Sequence, residues 1–98
     1  MHDFEIDHKR GCDIIDPNGE KVGKLSDVVF DDRTMTPTWA VIQYGFPRRT
    51  TLLPIAKVYA TDNGLASTVD RSAVHQAPKV KLPAPSTTEC EHYYGTNP

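Results

Sequence analysis

DPNGEKVGKLSDVVFDD, residues 16–32, decides the fold. Its opening Asp16-Pro17-Asn18-Gly19 is turn chemistry: proline presets φ at the second position, asparagine tolerates the bridge or left-handed region, and glycine supplies positive φ at the exit. A hairpin is the expected outcome. Beyond the turn, Val22, Val28 and Phe30 fall on even positions while Leu25 and Val29 fall on odd ones, so both faces of the strand must find cover. Gly23 stands where the phase shifts, and a glycine inside a strand marks a bulge or a sharp bend. The stretch reads as one long, bent strand. Its partner is TWAVIQYG, residues 38–45, with Trp39 and Val41 on one face and Ala40, Ile42 and Tyr44 on the other.

Working outward, residues 1–10 are mostly charged, with only Phe4 and Ile6 as alternating apolar positions, and form a leader or an edge strand. Cys12, Ile14 and Ile15 make the first strand before the turn. Downstream, 50–53, 57–61 and 65–69 read as three more short strands, with Asp62-Asn63-Gly64 repeating the turn logic. Six short strands joined by tight turns predict a mainly β fold, a small antiparallel six-stranded barrel at residues 11–77. Asp70 caps a short helical turn reaching Gln76. A proline-punctuated linker occupies 78–85, and a helix and tail occupy 86–98. Ser86-Thr87-Thr88-Glu89 matches a capping box, Cys90, Tyr93 and Tyr94 share a stripe, and Gly95 stands at the C-terminal cap.

Composition bounds the function. Ninety-eight residues, 38% hydrophobic and 24% charged, describe one domain with a modest core. A formal net charge of -2 provides no global field for nucleic acid or anionic lipid. The longest apolar runs are about four residues against the roughly twenty that a membrane helix needs. The N-terminus has no apolar segment of the signal-peptide kind, so the expected location is the cytoplasm.

Taken together, three of these segments carry a resemblance. DIIDPNGEKVGKLSDVVFDD, PTWAVIQYG and TTLLPIAKVYATDNGL resemble the PRC-barrel domain, the module shared by the photosynthetic reaction-centre H subunit and a ribosome maturation factor. The likeness runs from about Gly11 to Asp70, and DRSAVHQAPKV is typical of small stand-alone bacterial members. Such members often carry glycine where this chain has Met35, and a longer glycine-rich loop near GFPRR. The resemblance implies a protein-binding or assembly module with no enzyme activity and no cofactor. Its partner is a protein of unknown identity.

The residues themselves suggest several sites. His8 and Cys12 with Cys90 and His92 would make a Cys2His2 zinc set if the termini met, but the H-x3-C and C-x-H spacings are not those of fingers or ribbons. A Cys12–Cys90 disulfide runs against a reducing cytoplasm. Ser26, Asp27 and His75 supply hydrolase residue types without a nucleophile elbow. Asp31-Asp32 lacks the carboxylate ladder of a calcium loop. Arg48 and Arg49 beside Phe46 form the locally basic spot, a candidate anion contact for RNA, a ribosomal site or an acidic protein, although a chain of net -2 disfavours nucleic acid. The central strands, apolar on both sides, must have an outer face covered by the C-terminal helix or by a second copy. Leu25, Val29, Ile42 and Tyr44, with Tyr93 and Tyr94, are the expected interaction surface of a homodimer.

Overall fold

A computed structural model describes residues 6, 8–62, 64–82 and 85–95. The expectations for Phe4, Asn63 and residues 83–84 fall outside them. Six strands are present among the described residues: β1 (Asp13–Ile15), β2 (Lys21–Phe30), β3 (Pro37–Tyr44), β4 (Arg49–Pro54), β5 (Val58–Ala60) and β6 (Leu65–Ser67). A 3-10 turn at Ile55–Lys57 precedes β5, and two helices come after β6, α1 (Arg71–Gln76) and α2 (Thr88–Tyr94).

The strands form one sheet in the order β4-β3-β2-β1-β6-β5. The expected antiparallel barrel needs two corrections. The sheet is mixed, because β6 lies parallel to β1, with Ile14 opposite Leu65 and Ile15 opposite Ala66. It is also open, since β4 and β5 are its two edges. After β4 the chain turns at Ile55–Lys57 and brings the β5–β6 hairpin to the far side of β1, where three-residue strands cannot wrap back to β4. The β4 edge is instead covered by the segment after α1. Lys79 forms an antiparallel bridge with Thr51, the Val80 amide donates to the Thr50 carbonyl at 2.9 Å, and Thr51 Oγ1 donates to the Pro78 carbonyl at 2.8 Å. Covering an edge and shortening the other both blunt unwanted strand addition.

The mixed parity of β2 has a geometric cause. Against β1 the register jumps so that Ile14 faces Gly23 and Ile15 faces Lys21, leaving Val22 as an extra residue. Against β3, Leu25 faces Ile42 and Asp27 faces Val41, leaving Ser26 as another. Each bulge flips the alternation, so Val22, Leu25 and Val28 all point inward at a spacing of three. Gly23 sits beside the first bulge with no room for a side chain: an added Cβ would lie 2.7 Å from the Gln43 carbonyl oxygen. The expected bend is therefore there.

The sheet buries both faces. Ile14, Val22, Leu25, Val28, Ala40, Ile42, Leu53 and Leu65 form the inner core, closed by Val74 of α1. Trp39, Val41 and Leu52 form a second layer on the other face, covered by Cys90 of α2 with Val29, Val80 and Tyr94 packed around it. Each fully buried Leu or Ile contributes about 1.5–3 kcal/mol relative to exposure. Leu25 and Ile42, expected on an outer surface, are thus interior residues with 0% exposure. The outer layer is the Trp39–Val41–Leu52 face, and the chain's own helix lies on it.

The turns obey their residues. Asp16 Oδ1 accepts from the Asn18 amide at 2.9 Å and the Glu20 amide at 2.8 Å, and Gly19 has φ 83°. Its other oxygen, Oδ2, accepts from the Arg71 amide at 2.8 Å, so the hairpin turn is tied to the start of α1. Asp70, expected to cap that helix with its side chain, makes no such bond. The expected capping box at Ser86 is also not formed. Thr87 precedes the helix in a helical conformation and its hydroxyl donates instead to Glu91 Oε2 at 2.8 Å. Gly95 ends α2 with φ 70°, as the sequence requires.

Candidate functional site

Arg48 and Arg49, the two cations singled out in sequence, close the β3–β4 hairpin. Tyr44 and Arg49 are paired across its base, and Gly45 has φ 82°. A Cβ on Gly45 would come within 3.2 Å of Arg49 Nη1, so the guanidinium is folded against the turn. Both arginines are exposed. Neither makes an ion pair among the described residues.

The fold adds three further cations to this pair. Lys21 and Lys24 from β2 and Arg71 from α1 line the same groove, of about 610 Å³, with Val22 and Gly23 as its floor and Gln43, Tyr44 and His75 along its side. Lys21 and Lys24 both point outward because the bulge at Val22 puts residues three apart on one side. They share Asp13, at 3.3 Å and 2.9 Å. Lys24 first, then Lys21, hold the Asp13 carboxyl below its ordinary value. All three groups are about half exposed, so this triad is worth little to stability and its lysines remain available.

The groove wall is rigid. His75 stacks on Tyr44 with centroids 3.8 Å apart and planes within 9°. His75 Nε2 lies 2.7 Å from the Val22 carbonyl oxygen, which can only accept, so this nitrogen carries the proton. The Tyr44 hydroxyl donates to the His75 carbonyl at 3.1 Å, and Lys79 Nζ donates to the same carbonyl at 2.9 Å. Asp16, beneath Arg71, is nearly buried. The Arg71 amide above all holds its carboxyl below the ordinary range, helped by the amides of Glu20 and Asn18. These bonds fix α1 against β2, and with it the position of Arg71.

The other sites proposed from sequence are dispersed. Cys12 packs against the inner core and Cys90 against the outer layer, while His8 and His92 are exposed. The sheet thus separates the two cysteines of the zinc set, and both thiols are free. Among the described residues no group of three metal-ligating side chains converges. The Cys90 thiol is pushed up by burial and points at the Pro78 carbonyl. Ser26 sits in the second bulge, Asp27 pairs with Arg10 at 2.8 Å, and His75 is committed to Val22, so the three make no triad. Asp31 Oδ1 accepts from the Arg33 and Thr34 amides, which is a turn. Of the expected interaction surface, Tyr44 lines the basic groove, Val29 and Tyr94 pack in the outer layer, and Tyr93 is partly exposed with its hydroxyl on the Ala73 carbonyl.

Sequence reasoning reached Arg48 and Arg49 but not Lys21, Lys24 and Arg71. One signal was present: Arg71 and His75 are four apart on a short helix and share a face. A second groove, of about 520 Å³ and more apolar, runs between Trp39, Pro54, Ile55 and Glu91 on the other side of the sheet. No helix among the described residues is long and apolar enough to cross a membrane. The family model of the PRC-barrel domain matches residues 1–67 and stops at the end of β6. None of the curated proteins matches the chain.

Proposed function

Because this chain belongs to the PRC-barrel domain family, we propose that it is a non-catalytic interaction module that docks an acidic segment of a partner protein in its basic groove. The observation that carries this reading is the convergence of Lys21, Lys24, Arg48, Arg49 and Arg71 on one concave face of a chain whose formal net charge is -2. Carboxylates from a peptide need only cations within reach, and a groove with low-dielectric walls focuses their field. Of the hydrolase-type residues, Asp27 is paired with Arg10 and His75 with the Val22 carbonyl, which supports a binding role over a catalytic one.

RNA is the rival ligand; Phe46 at the hairpin tip is an exposed ring, but the aromatic ring that lines the groove itself is not free. A single-stranded binder offers free aromatic faces on which bases stack. Here the Tyr44 ring is stacked on His75 and has Lys79 Nζ 5.8 Å from its centroid, so this surface is already engaged within the fold. The test is fluorescence anisotropy at low and moderate salt with labelled oligoglutamate and labelled single-stranded RNA. Oligoglutamate is expected to bind, with an affinity that falls as salt rises. Reversing Arg48 and Arg49 to glutamate replaces two attractions by two repulsions and is expected to weaken binding by about tenfold or more. Equal affinity in that variant, or preference for RNA, would overturn the reading.

A further inference from the structure

Phe46 is fully exposed, at 100%, and forms the tip of the β3–β4 hairpin beside Pro47. It covers nothing in its own fold. The residues flanking the tip, Gly45 on one side and Arg48 and Arg49 on the other, line the basic groove, so an apolar ring stands at the end of a cationic channel. We infer that Phe46 is the apolar anchor of the docking site, and that the ligand class is an acidic peptide segment with an aliphatic or aromatic residue next to its carboxylates. The anchor assignment rests on the reading of the groove as an acidic-peptide site.

Three features support the assignment. An aromatic side chain has only two torsions to immobilise, so it gains contact at low entropic cost and is favoured at the centre of interfaces. The hairpin presents it firmly: Tyr44 and Arg49 close its base, Pro47 restricts the backbone, and Gly45 takes the left-handed conformation that the turn demands. The groove behind it is concave, with Lys21, Lys24 and Arg71 lying along it. That shape accepts an extended chain laid along its cations.

The experiment compares labelled oligoglutamate with the same peptide extended by two leucines at its N-terminus or at its C-terminus. Anisotropy titrations use the full chain, Phe46→Ala and Phe46→Leu, with circular dichroism checking that each variant is folded. The wild-type chain is expected to bind one leucine-tailed peptide about tenfold or more tightly than oligoglutamate. Phe46→Ala should bind tailed and untailed peptides alike, and Phe46→Leu should keep most of the gain. Oligoglutamate binding with no gain from either tail, or a gain that survives in Phe46→Ala, overturns the anchor assignment and leaves the groove reading standing. Failure of oligoglutamate to bind at low salt removes the groove reading, and this inference with it. Phe46-dependent binding to mixed phosphatidylglycerol and phosphatidylcholine vesicles, without any gain for the tailed peptides, would overturn it in favour of a lipid surface.

Discussion

Replacing Gly23 by alanine probes the contact on which both the sheet and the groove floor depend. A Cβ there would lie 2.7 Å from the Gln43 carbonyl oxygen, 2.9 Å from Ile42 Cγ2 and 3.1 Å from Tyr44 Cβ. The first contact is with backbone held in register opposite Lys24, and the second is with a side chain at 0% exposure, so neither neighbour can step aside. Gly23 lies outside the left-handed region, so alanine would otherwise gain about 0.4–1 kcal/mol by restricting the unfolded chain. Overpacking costs about 1–3 kcal/mol, and a clash with backbone belongs at the upper end. The expected net loss is about 2 kcal/mol, a large share of the roughly 5–15 kcal/mol that holds a domain together. Urea unfolding followed by the fluorescence of buried Trp39 reads it as a midpoint lowered by about 1 M, taking a slope near 2 kcal/mol per molar. Gly19→Ala is the control: φ is 83° and nothing lies within 4 Å, so its cost is the left-handed penalty of about 1–2 kcal/mol alone. A Gly23→Ala protein as stable as wild type, or more stable, would refute the steric account.

Three further outcomes are expected. Tyr94 buries its hydroxyl without a partner among the described residues, and that burial pushes the phenol strongly up; Tyr94→Phe should stabilise by about 1 kcal/mol and raise the melting temperature by about 4–8 °C, and a lower melting temperature would contradict it. Met35 is exposed at φ 58°, so the stability order at this site should be Gly and Asn above Met and Met above Val, with chemical denaturation as the measure and an inverted order as the refutation. Asp16 has a depressed carboxyl, so it stabilises the fold fully above its ordinary value of 3.8 and loses that contribution as pH falls through the folded value; Asp16→Asn should lower stability at pH 7 and flatten the acid limb of a stability–pH curve, and an unchanged limb would count against the Asp16–Arg71 tie.

The strands were legible because local chemistry specifies them. DPNG, Gly23 and the β-branched runs produced the expected turn, bend and ladder, and Gly95 ended its helix in the left-handed region. What was not legible is which apolar face turns inward. Ala40 and Ile42 alternate with Trp39 and Val41, both sets are buried, and parity cannot rank them. Bulges at Val22 and Ser26 moved Leu25 to the inner side, which is why the expected outer surface dissolved. Met35 stood out in the sequence only as a departure from a glycine, and its positive φ gives the physical content of that departure. Closure was over-read because six strands of barrel-like spacing do not reveal that one pair runs parallel.

The groove was half legible for a different reason. Arg48-Arg49 is visible as a dipeptide, but Lys21, Lys24 and Arg71 join it only through the β2 bulge and the Asp16–Arg71 bond across 55 residues. Its meaning depends on the rest of the surface. The chain holds eleven Lys and Arg against thirteen Asp and Glu, and five of those cations line this one groove, where Asp13 is shared by Lys21 and Lys24. An acidic ligand therefore meets its densest group of cations along this one track, and the field there orients it before contact. Charge alone would still let a uniform acidic chain slide along that track. A single apolar contact at its end, where Phe46 stands, would stop the sliding and convert attraction into a fixed register.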